Sequence, residues 1–504
     1  MKKRLTAALM GTALLSTSLL GSGIQVAAES GDDLVEIVWQ WPSTGTIGDG
    51  FQDVEDALNE MLEKDIGVHV TLYPVNASNL INQTVLDVTG GEQVDLSLSI
   101  GKGVGSLVSS GLIQPLDDIV EQYGSAIVET TGNGLYGGYY DGQLYGVPNA
   151  WVYGLTYAYV ARKDILEKYG FEADFDKVYT LDEIEEIFEV VKAGEGENFY
   201  CVAPDPTSKR PLSGSAFEYD FLGGGSVASG VLMLNESFDN LKIENMFETP
   251  EFEEYARRMY DWAQKGYISK DAAVSTEDPK DQVKAGNVLG TFSYGGPYNN
   301  ENNTYVVGRD MVTMHVIPGY VASAGLSNIL WSVPITSANP EKAIETLNYI
   351  YEHDEATWLL QFGIRDRDYE IVEQTEEGAR YHYLADDPST LPYYQPYGVY
   401  GNRLHWPVRQ TVAVNYNNVV LEYEESIPDS RKSPAMGYVF KQDSVATEIS
   451  AVTAVIEQYI TSINCGTVEP GANLESFRKD LKAAGIDKVI EENQRQLDEW
   501  AANK

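Results

Sequence analysis

The sequence contains few of the residues that usually build reactive or metal centres. Its 504 residues include only five histidines, which are scattered along the chain. No His-Glu-x-x-His pair and no Gly-x-Ser-x-Gly motif occurs. The signatures of a zinc hydrolase and of a serine hydrolase are therefore missing, and we predict no metal ion, no cofactor and no catalytic residue.

Cysteine is equally scarce. Cys201 and Cys465 are the only two, and they lie far apart in the sequence. Two cysteines are too few for a disulfide framework. Whether they pair or remain buried free thiols stays open at this point.

Basic residues are outnumbered, with 35 Lys and Arg against 76 Asp and Glu and a net charge of −41. A field of this sign repels phosphates and anionic lipid, which excludes nucleic acid as a partner. It favours a neutral or cationic ligand unless arginines create a local positive field. Four arginines are candidates for that role, with ion pairing inside the fold as the alternative: Arg365, Arg367, Arg403 and Arg409.

Long apolar runs are absent except near the start of the chain. Basic residues 2–4 precede an apolar run over residues 5–20, which predicts an export signal over residues 1–28 with cleavage after Ala28. No other stretch is long enough to span a bilayer, so we expect an exported, soluble or tethered chain. Residues 19–22 resemble a bacterial lipobox with Ser22 in place of the lipid-carrying cysteine, which argues against lipid anchoring.

Strands and helices are predicted to alternate in the first hundred residues. Strands over residues 34–39, 68–73 and 94–100 are separated by a helix over residues 51–66 and a second connection. This alternation is typical of an α/β layer. Amphipathic helices are predicted further on, over residues 180–193, 249–265, 443–463 and 474–502. Another is predicted to begin after Asn339, its N-cap.

The most informative segment runs from residue 141 to residue 164. Its density of Tyr, Val, Leu and Trp indicates buried β-structure, and Pro148 divides it into two extended parts joined by a bend. Such a bend suits a crossing between two lobes. Trp151 and Tyr153 lie one alternation apart, so we expect both rings on one face. They are candidates for ligand contact, with core packing as the alternative.

Other aromatic and polar residues recur at predicted strand ends and turns. A sugar needs flat side chains to stack on and planar polar groups to hydrogen-bond its hydroxyls. The candidates for such a cleft, again with core packing as the alternative, are Trp41, Tyr219, Asp220, Tyr298, Trp331, Arg403 and Trp406. Carboxylates such as Glu218 and Asp220 leave an exported glycoside hydrolase as an alternative function.

Longer stretches resemble the extracellular solute-binding proteins, family 1, of carbohydrate ABC transporters. The matching stretches are residues 111–124 (GLIQPLDDIVEQYG), 141–148 (DGQLYGVP), 160–170 (VARKDILEKYG), 247–268 (FETPEFEEYARRMYDWAQKGYI), 295–298 (GGPY) and 339–351 (NPEKAIETLNYIY). The C-terminal helical region, residues 437–504, is similar to that of LplA-type lipoproteins of Firmicutes.

The resemblance implies a bilobal, type II periplasmic-binding-protein-like fold, with two three-layer α/β lobes joined by crossing hinge strands. The first lobe would take residues 30–146 and 332–395, and the second residues 147–331 and 396–504. It further implies that the protein binds an oligosaccharide or other small carbohydrate and passes it to ABC transporter permease subunits. The protein would be a monomer outside a Gram-positive cell, and it would not be an enzyme. A surface protein that binds glycan without import is a further alternative.

The resemblance also places two site residues. Tyr298 lies in the Gly-Pro-aromatic turn where relatives stack a sugar. Ser99 lies at a strand end where some relatives have an aromatic residue, which implies a narrower or more polar site.

Overall fold

The computed structural model describes most of the chain, namely residues 34–44, 47–100, 104–211, 217–223, 225–235 and 237–503. The predicted export signal, with Ser22, lies outside these residues. Over the described ranges no helix combines the length and apolarity that a membrane crossing requires.

The described elements alternate between strand and helix along much of the chain. In chain order the strands are β1 (Val35–Ser43), β2 (Val68–Asn76), β3 (Ser97–Ile100), β4 (Tyr139–Tyr140), β5 (Gln143–Leu144), β6 (Val147–Pro148), β7 (Gly154–Arg162), β8 (Tyr200–Val202), β9 (Tyr219–Asp220), β10 (Val231–Met233), β11 (Ile243–Glu244), β12 (Val288–Tyr294), β13 (Met311–Val321), β14 (Ile329–Ser332), β15 (Tyr369–Thr375), β16 (Gly378–Tyr383) and β17 (Val408–Arg409). The α-helices are α1 (Phe51–Ile66), α2 (Leu80–Gly90), α3 (Gly105–Ser109), α4 (Asp117–Tyr123), α5 (Ser125–Thr131), α6 (Lys163–Lys168), α7 (Leu181–Glu195), α8 (Pro250–Gln264), α9 (Pro279–Ala285), α10 (Asn299–Val307), α11 (Pro340–Glu352), α12 (Asp354–Phe362), α13 (Tyr416–Ser426), α14 (Ala446–Asn464), α15 (Pro470–Ala484) and α16 (Ile486–Ala502).

Local sequence signals predicted several helices closely and failed at two helix ends. The capping box of α7 is present, because Thr180 and Glu183 exchange side-chain and backbone hydrogen bonds. Asn339 precedes α11 as predicted, but its side chain makes no capping hydrogen bond. The single helix predicted over residues 474–502 is wrong: Gly485 adopts a left-handed φ of 99° and separates α15 from α16.

A first hydrophobic core forms around two groups of strands. β1 pairs in parallel with β2, and β14 lies between β3 and β6, antiparallel to both. A single bridge between Trp39 and Leu96 connects the two groups. The buried residues of this core come from two stretches of the chain, between Ile37 and Ala150 and between Trp331 and Tyr400.

A second core surrounds a four-stranded sheet of order β13-β7-β12-β8. Its buried residues come from two stretches, 157–322 and 435–497, so helices α14 to α16 pack into it. Cys201 and Cys465 are both buried free thiols in this core. The two cores, each with strands and helices, confirm the bilobal α/β fold.

The chain crosses between the cores within the segment singled out in the sequence. β6 belongs to the first sheet and β7 to the second, so residues 149–153 form a connection between them. Pro148 pairs with Leu330 at the edge of its sheet, where a missing N–H is tolerated. Trp151 and Tyr153 lie in this connection and not on β7, so the expected strand alternation does not set the directions of their rings.

Candidate ligand-binding site

The loop that carries Arg403 is attached to the connection between the lobes. The Ala150 N–H donates to the Gly401 carbonyl at 3.1 Å, and the Arg403 N–H donates to the Ala150 carbonyl at 3.1 Å. Gly401 has a left-handed φ of 52°, and a Cβ there would lie 2.6 Å from the Ile350 carbonyl oxygen. A glycine is therefore required at this turn. The turn holds Arg403 beside the crossing.

Trp41 and Trp331, predicted as ligand contacts, lie in the first core. They are 2% and 0% exposed. Trp41 stacks on Tyr400 with ring centroids 4.4 Å apart, and Trp331 Nε1 donates to the Val399 carbonyl at 2.9 Å. Because neighbouring side chains cover both rings, the expectation of ligand contact is corrected. Both tryptophans support the loop that leads to Arg403.

Ser99, Tyr219 and Asp220 are also buried away from solvent, at 1%, 7% and 0% exposure. Ser99 sits inside β3 and pairs with Leu330. The Asp220 carboxylate accepts backbone N–H groups, including that of Ser323 at 2.7 Å. The expectation of ligand contact is corrected for these three residues, because their side chains are buried within the fold.

Glu218, the other carboxylate considered for a hydrolase, is also engaged within the fold. It accepts a hydrogen bond from Arg431 at 2.5 Å. Burial raises the pKa of Glu218, and the Arg431 charge opposes that shift. The pair Glu218 and Asp220 therefore serves contacts within the fold, including contacts to the connections between the lobes.

The other predicted residues meet at one place. The Arg403 guanidinium carbon lies 4.2 Å from the Trp151 ring centroid and 5.5 Å from that of Trp406. Trp406 Nε1 donates to Thr357 Oγ1 at 3.0 Å, which fixes the indole. The Tyr153 hydroxyl donates to the Asn149 carbonyl at 3.2 Å. Trp151, Tyr153, Arg403 and Trp406 are all only partly buried.

Tyr298 extends this group from the second lobe. Its hydroxyl donates to Asn415 Oδ1 at 2.7 Å, and its ring centroid lies 5.6 Å from that of Tyr416. Burial raises the pKa of Tyr416, and the Arg403 charge opposes that shift, so the phenol and the guanidinium interact electrostatically. We call Trp151, Tyr153, Tyr298, Arg403, Trp406, Asn415 and Tyr416 the Arg403 cluster.

Sequence reasoning missed Asn415 and Tyr416. Both stand at the start of α13, within the run Asn415-Tyr416-Asn417-Asn418. Planar amides beside an aromatic ring are the groups that a sugar site uses. This composition is the sequence signal from which Asn415 and Tyr416 could have been predicted.

Of the four candidate arginines, only Arg403 belongs to the cluster. Arg367 pairs with Asp368 at 2.7 Å, the role expected of a structural ion pair. Arg365 and Arg409 are exposed.

Helix α13 also anchors the crossing. The Glu424 carboxylate accepts the backbone N–H groups of Tyr153 and Gly154, the latter at 2.8 Å. Burial raises the pKa of Glu424, while the two N–H donors favour its charged form. One helix thus places Tyr416 in the site and holds the connection through Glu424.

A buried histidine supports the turn that carries Tyr298. The Gly296 N–H donates to His315 Nε2 at 3.3 Å, and His315 Nδ1 donates to the Phe175 carbonyl at 2.8 Å. This arrangement requires the neutral imidazole, with its proton on Nδ1. A Cβ at Gly295 would lie 2.7 Å from the imidazole, so a glycine is needed there as well.

Acidification is expected to destabilise this turn. Burial lowers the pKa of His315 from its ordinary value of 6.5. Above that value both folded and unfolded chains carry a neutral ring, and the stabilisation is complete. As the pH falls below it, the unfolded chain binds a proton first and the stabilisation is lost. Between about pH 7 and pH 5, the range in which an ordinary histidine titrates, we expect the melting temperature of the wild type to fall more steeply than that of His315→Gln.

The glutamine variant is the matched control, because its amide oxygen can accept the Gly296 N–H and does not titrate. Every other ionisable group is common to both proteins, including His405, whose pKa the Asp354 carboxylate raises. If the melting temperatures of the two proteins fell in parallel across this pH range, the stabilising role of the neutral His315 would be contradicted.

Two α/β cores joined by a crossing connection, with an aromatic and amide cluster beside it, define a bilobal solute-binding protein. The profile of the bacterial extracellular solute-binding protein family matches residues 45–357, and the chain belongs to this family. A second profile, a domain of unknown function (DUF3502), matches residues 434–502, the region of α14 to α16.

Similar proteins share nearly the full length of the chain. A carbohydrate ABC transporter substrate-binding protein of Streptococcus pneumoniae serotype 4 (strain ATCC BAA-334 / TIGR4) is 24% identical over 490 residues, covering 95% of this chain and 93% of that protein. The crystal structure of the N-glycan transport solute binding protein NgtS from S. pneumoniae has a TM-score of 0.75 at 21% identity, covering 93% of this chain and 99% of that one. An HMO binding, ABC-transporter associated solute binding protein from Bifidobacterium longum infantis ATCC 15697 has a TM-score of 0.65 at 15% identity, covering 93% of this chain and 99% of that one.

Proposed function

We propose that the protein binds a sugar or oligosaccharide between its lobes and delivers it to the permease subunits of an ABC transporter. The observation that carries this proposal is the Arg403 cluster. Its flat rings can cover the apolar faces of a sugar, and its amide and guanidinium can hydrogen-bond the hydroxyl rim. The similarity to proteins described as N-glycan transporting and HMO binding supports the proposal.

The cluster draws on both lobes, which gives a ligand the means to close them. Trp406 contacts Thr357 of the first lobe, whereas Tyr298 follows β12 of the second. A ligand that contacts both sides binds the closed state better than the open state and shifts the population toward closure. Turnover is not part of this function.

We propose lobe boundaries that lie within about ten residues of those expected, except that the last part of the second lobe begins at residue 435 and not at 396. The first lobe takes residues 34–150 and 329–400, because Val147 and Trp331 pair within its sheet. The second takes residues 154–322 and 435–503. The stretches between them, residues 151–153, 323–328 and 401–434, are the connections, and they contain every residue of the Arg403 cluster except Tyr298.

We also propose that the protein works as a monomer outside a Gram-positive cell. The leader expected over residues 1–28 would export it. With Ser22 at the lipobox position, release or another mode of attachment would replace a lipid anchor. We further propose that the C-terminal region is related to that of LplA-type lipoproteins.

Isothermal titration of the mature chain against a panel of oligosaccharides tests the function. We expect saturable binding without product, and a loss of affinity of about tenfold or more in Trp151→Ala and Tyr298→Ala, because each substitution removes a stacking surface. Chromatography of the sugar after incubation with the protein tests whether any product forms.

Trp500→Ala is the matched control, because this tryptophan lies on α16 and packs against Tyr438 at 5.8 Å. It should bind like the wild type. Conversion of the sugar into fragments would favour the hydrolase alternative. Unchanged affinity in both site variants would show that the Arg403 cluster does not bind the sugar.

A further inference from the structure

Arg403 has no acidic partner in a chain rich in acids. Its Nε is buried without a hydrogen-bond partner, and no described residue accepts a hydrogen bond from its guanidinium. The sequence has 76 acidic and 35 basic residues, so carboxylates are plentiful. Arg258 and Arg431 are also partly buried and use them: Arg258 pairs with Glu185 at 3.2 Å and Arg431 with Glu218 at 2.5 Å. Arg210, which is partly buried as well, donates to the Tyr294 hydroxyl instead.

The immediate surroundings of Arg403 are aromatic. The ionisable groups that act on it are the Tyr416 and Tyr153 phenols, and burial opposes its charge. The nearby Glu424 carboxylate is already occupied by the Tyr153 and Gly154 N–H groups. A buried guanidinium stays charged and is costly to hold without a counter-ion, so the site is a local positive centre.

Two indoles contact the guanidinium without satisfying its hydrogen bonds. Trp151 and Trp406 both lie within cation–π distance of the guanidinium, at 4.2 and 5.5 Å. An indole has no lone-pair acceptor, so the N–H groups in the planar fork of the guanidinium remain for a ligand. That planar fork matches the two oxygens of a carboxylate and binds them through parallel hydrogen bonds.

We propose that the ligand is an acidic sugar, whose carboxylate pairs with Arg403 while its ring stacks in the Arg403 cluster. This inference rests on the proposed function and specifies its substrate class. The net charge of −41 repels anions at a distance, and Arg403 supplies the local attraction that such a ligand requires.

Titration with matched sugars tests the proposal. The probes are 3′-sialyllactose against its methyl ester, and digalacturonic acid against its dimethyl ester, each pair differing in carboxylate charge. We expect an acidic member to bind at least about tenfold more tightly than its neutral partner. Arg403→Gln should abolish this preference, and Arg403→Lys should restore only part of it, since lysine keeps the charge without the fork.

Arg365→Gln is the matched control, because it removes one positive charge from an exposed position. It should retain the preference for the acid. Equal or tighter binding of the neutral partners by the wild type would overturn the acidic ligand and leave the sugar-binding function intact. Binding of none of the four sugars would instead count against the proposed function.

A measurement without ligand addresses Arg403 independently. Arg403→Met keeps a long side chain between the indoles and removes the unpaired charge. We expect the melting temperature of the ligand-free protein to stay the same or rise, as is usual when a binding residue is replaced by one that suits the fold. A clear fall would show that Arg403 stabilises the fold and would overturn its assignment to the ligand.

Discussion

Replacement of Trp331 by alanine is expected to lower the free energy of unfolding by about 3–5 kcal/mol. The indole is fully buried, with its ring centroid 5.3 Å from that of Trp39 and 5.9 Å from that of Tyr400. The substitution leaves a cavity and removes the donor that the Val399 carbonyl uses. Urea denaturation followed by circular dichroism measures the loss.

The same substitution is expected to weaken ligand binding, because the loop that carries Arg403 begins beside Val399. Trp331→Phe separates the two contributions: it keeps most of the ring volume and should cost about 1–3 kcal/mol through the lost hydrogen bond. Tyr305→Ala, a truncation of a tyrosine that is 55% exposed, is the surface control and should change stability little. A wild-type denaturation midpoint in Trp331→Ala would contradict this account.

Replacement of Asp220 by alanine is expected to destabilise the protein by about 3–5 kcal/mol. The carboxylate is fully buried and accepts the N–H groups of Leu222 at 2.8 Å, Ser323 at 2.7 Å and Ala324 at 3.4 Å. Alanine leaves these donors unsatisfied. Because residues 323 and 324 begin a connection between the lobes, the variant should also change the open and closed populations, which small-angle X-ray scattering can follow.

Asp220→Asn should give a smaller loss, since one oxygen can still accept the Leu222 N–H. Asp387→Ala is the matched control: that carboxylate caps Ser389 in its own exposed turn, at 3.0 Å, and its loss should cost about 1 kcal/mol or less. Equal effects of the Asp220 and Asp387 variants would show that the Ser323 contact does not stabilise the crossing.

Local sequence signals predicted what depends on neighbouring residues. The span of α1 follows from its apolar periodicity, and the capping box of α7 from Thr180 and Glu183. The crossing near Pro148 follows from a β-rich run that a proline interrupts. The break at Gly485 was missed, because the apolar pattern continues through it and a glycine within such a pattern does not always end a helix.

The same local signals could not separate the binding residues from the core. Trp331 and Trp406 stand in similar contexts, each near a turn or strand end. One is sealed between Trp39 and Tyr400, and the other flanks Arg403. The difference comes from which distant segment covers each ring.

The sequence by itself determined the two-lobed α/β class, the crossing segment and the positions of the main helices, because these depend on residue periodicity, turn chemistry and family resemblance over short stretches. The tertiary structure alone decided which aromatic rings remain available to a ligand and that the Arg403 guanidinium lies against indoles and not against a carboxylate. Arg367 meets Asp53 from across the fold, whereas Arg403 meets Trp151. Such pairings join residues hundreds of positions apart, and only the packing of the lobes brings them within a few ångströms.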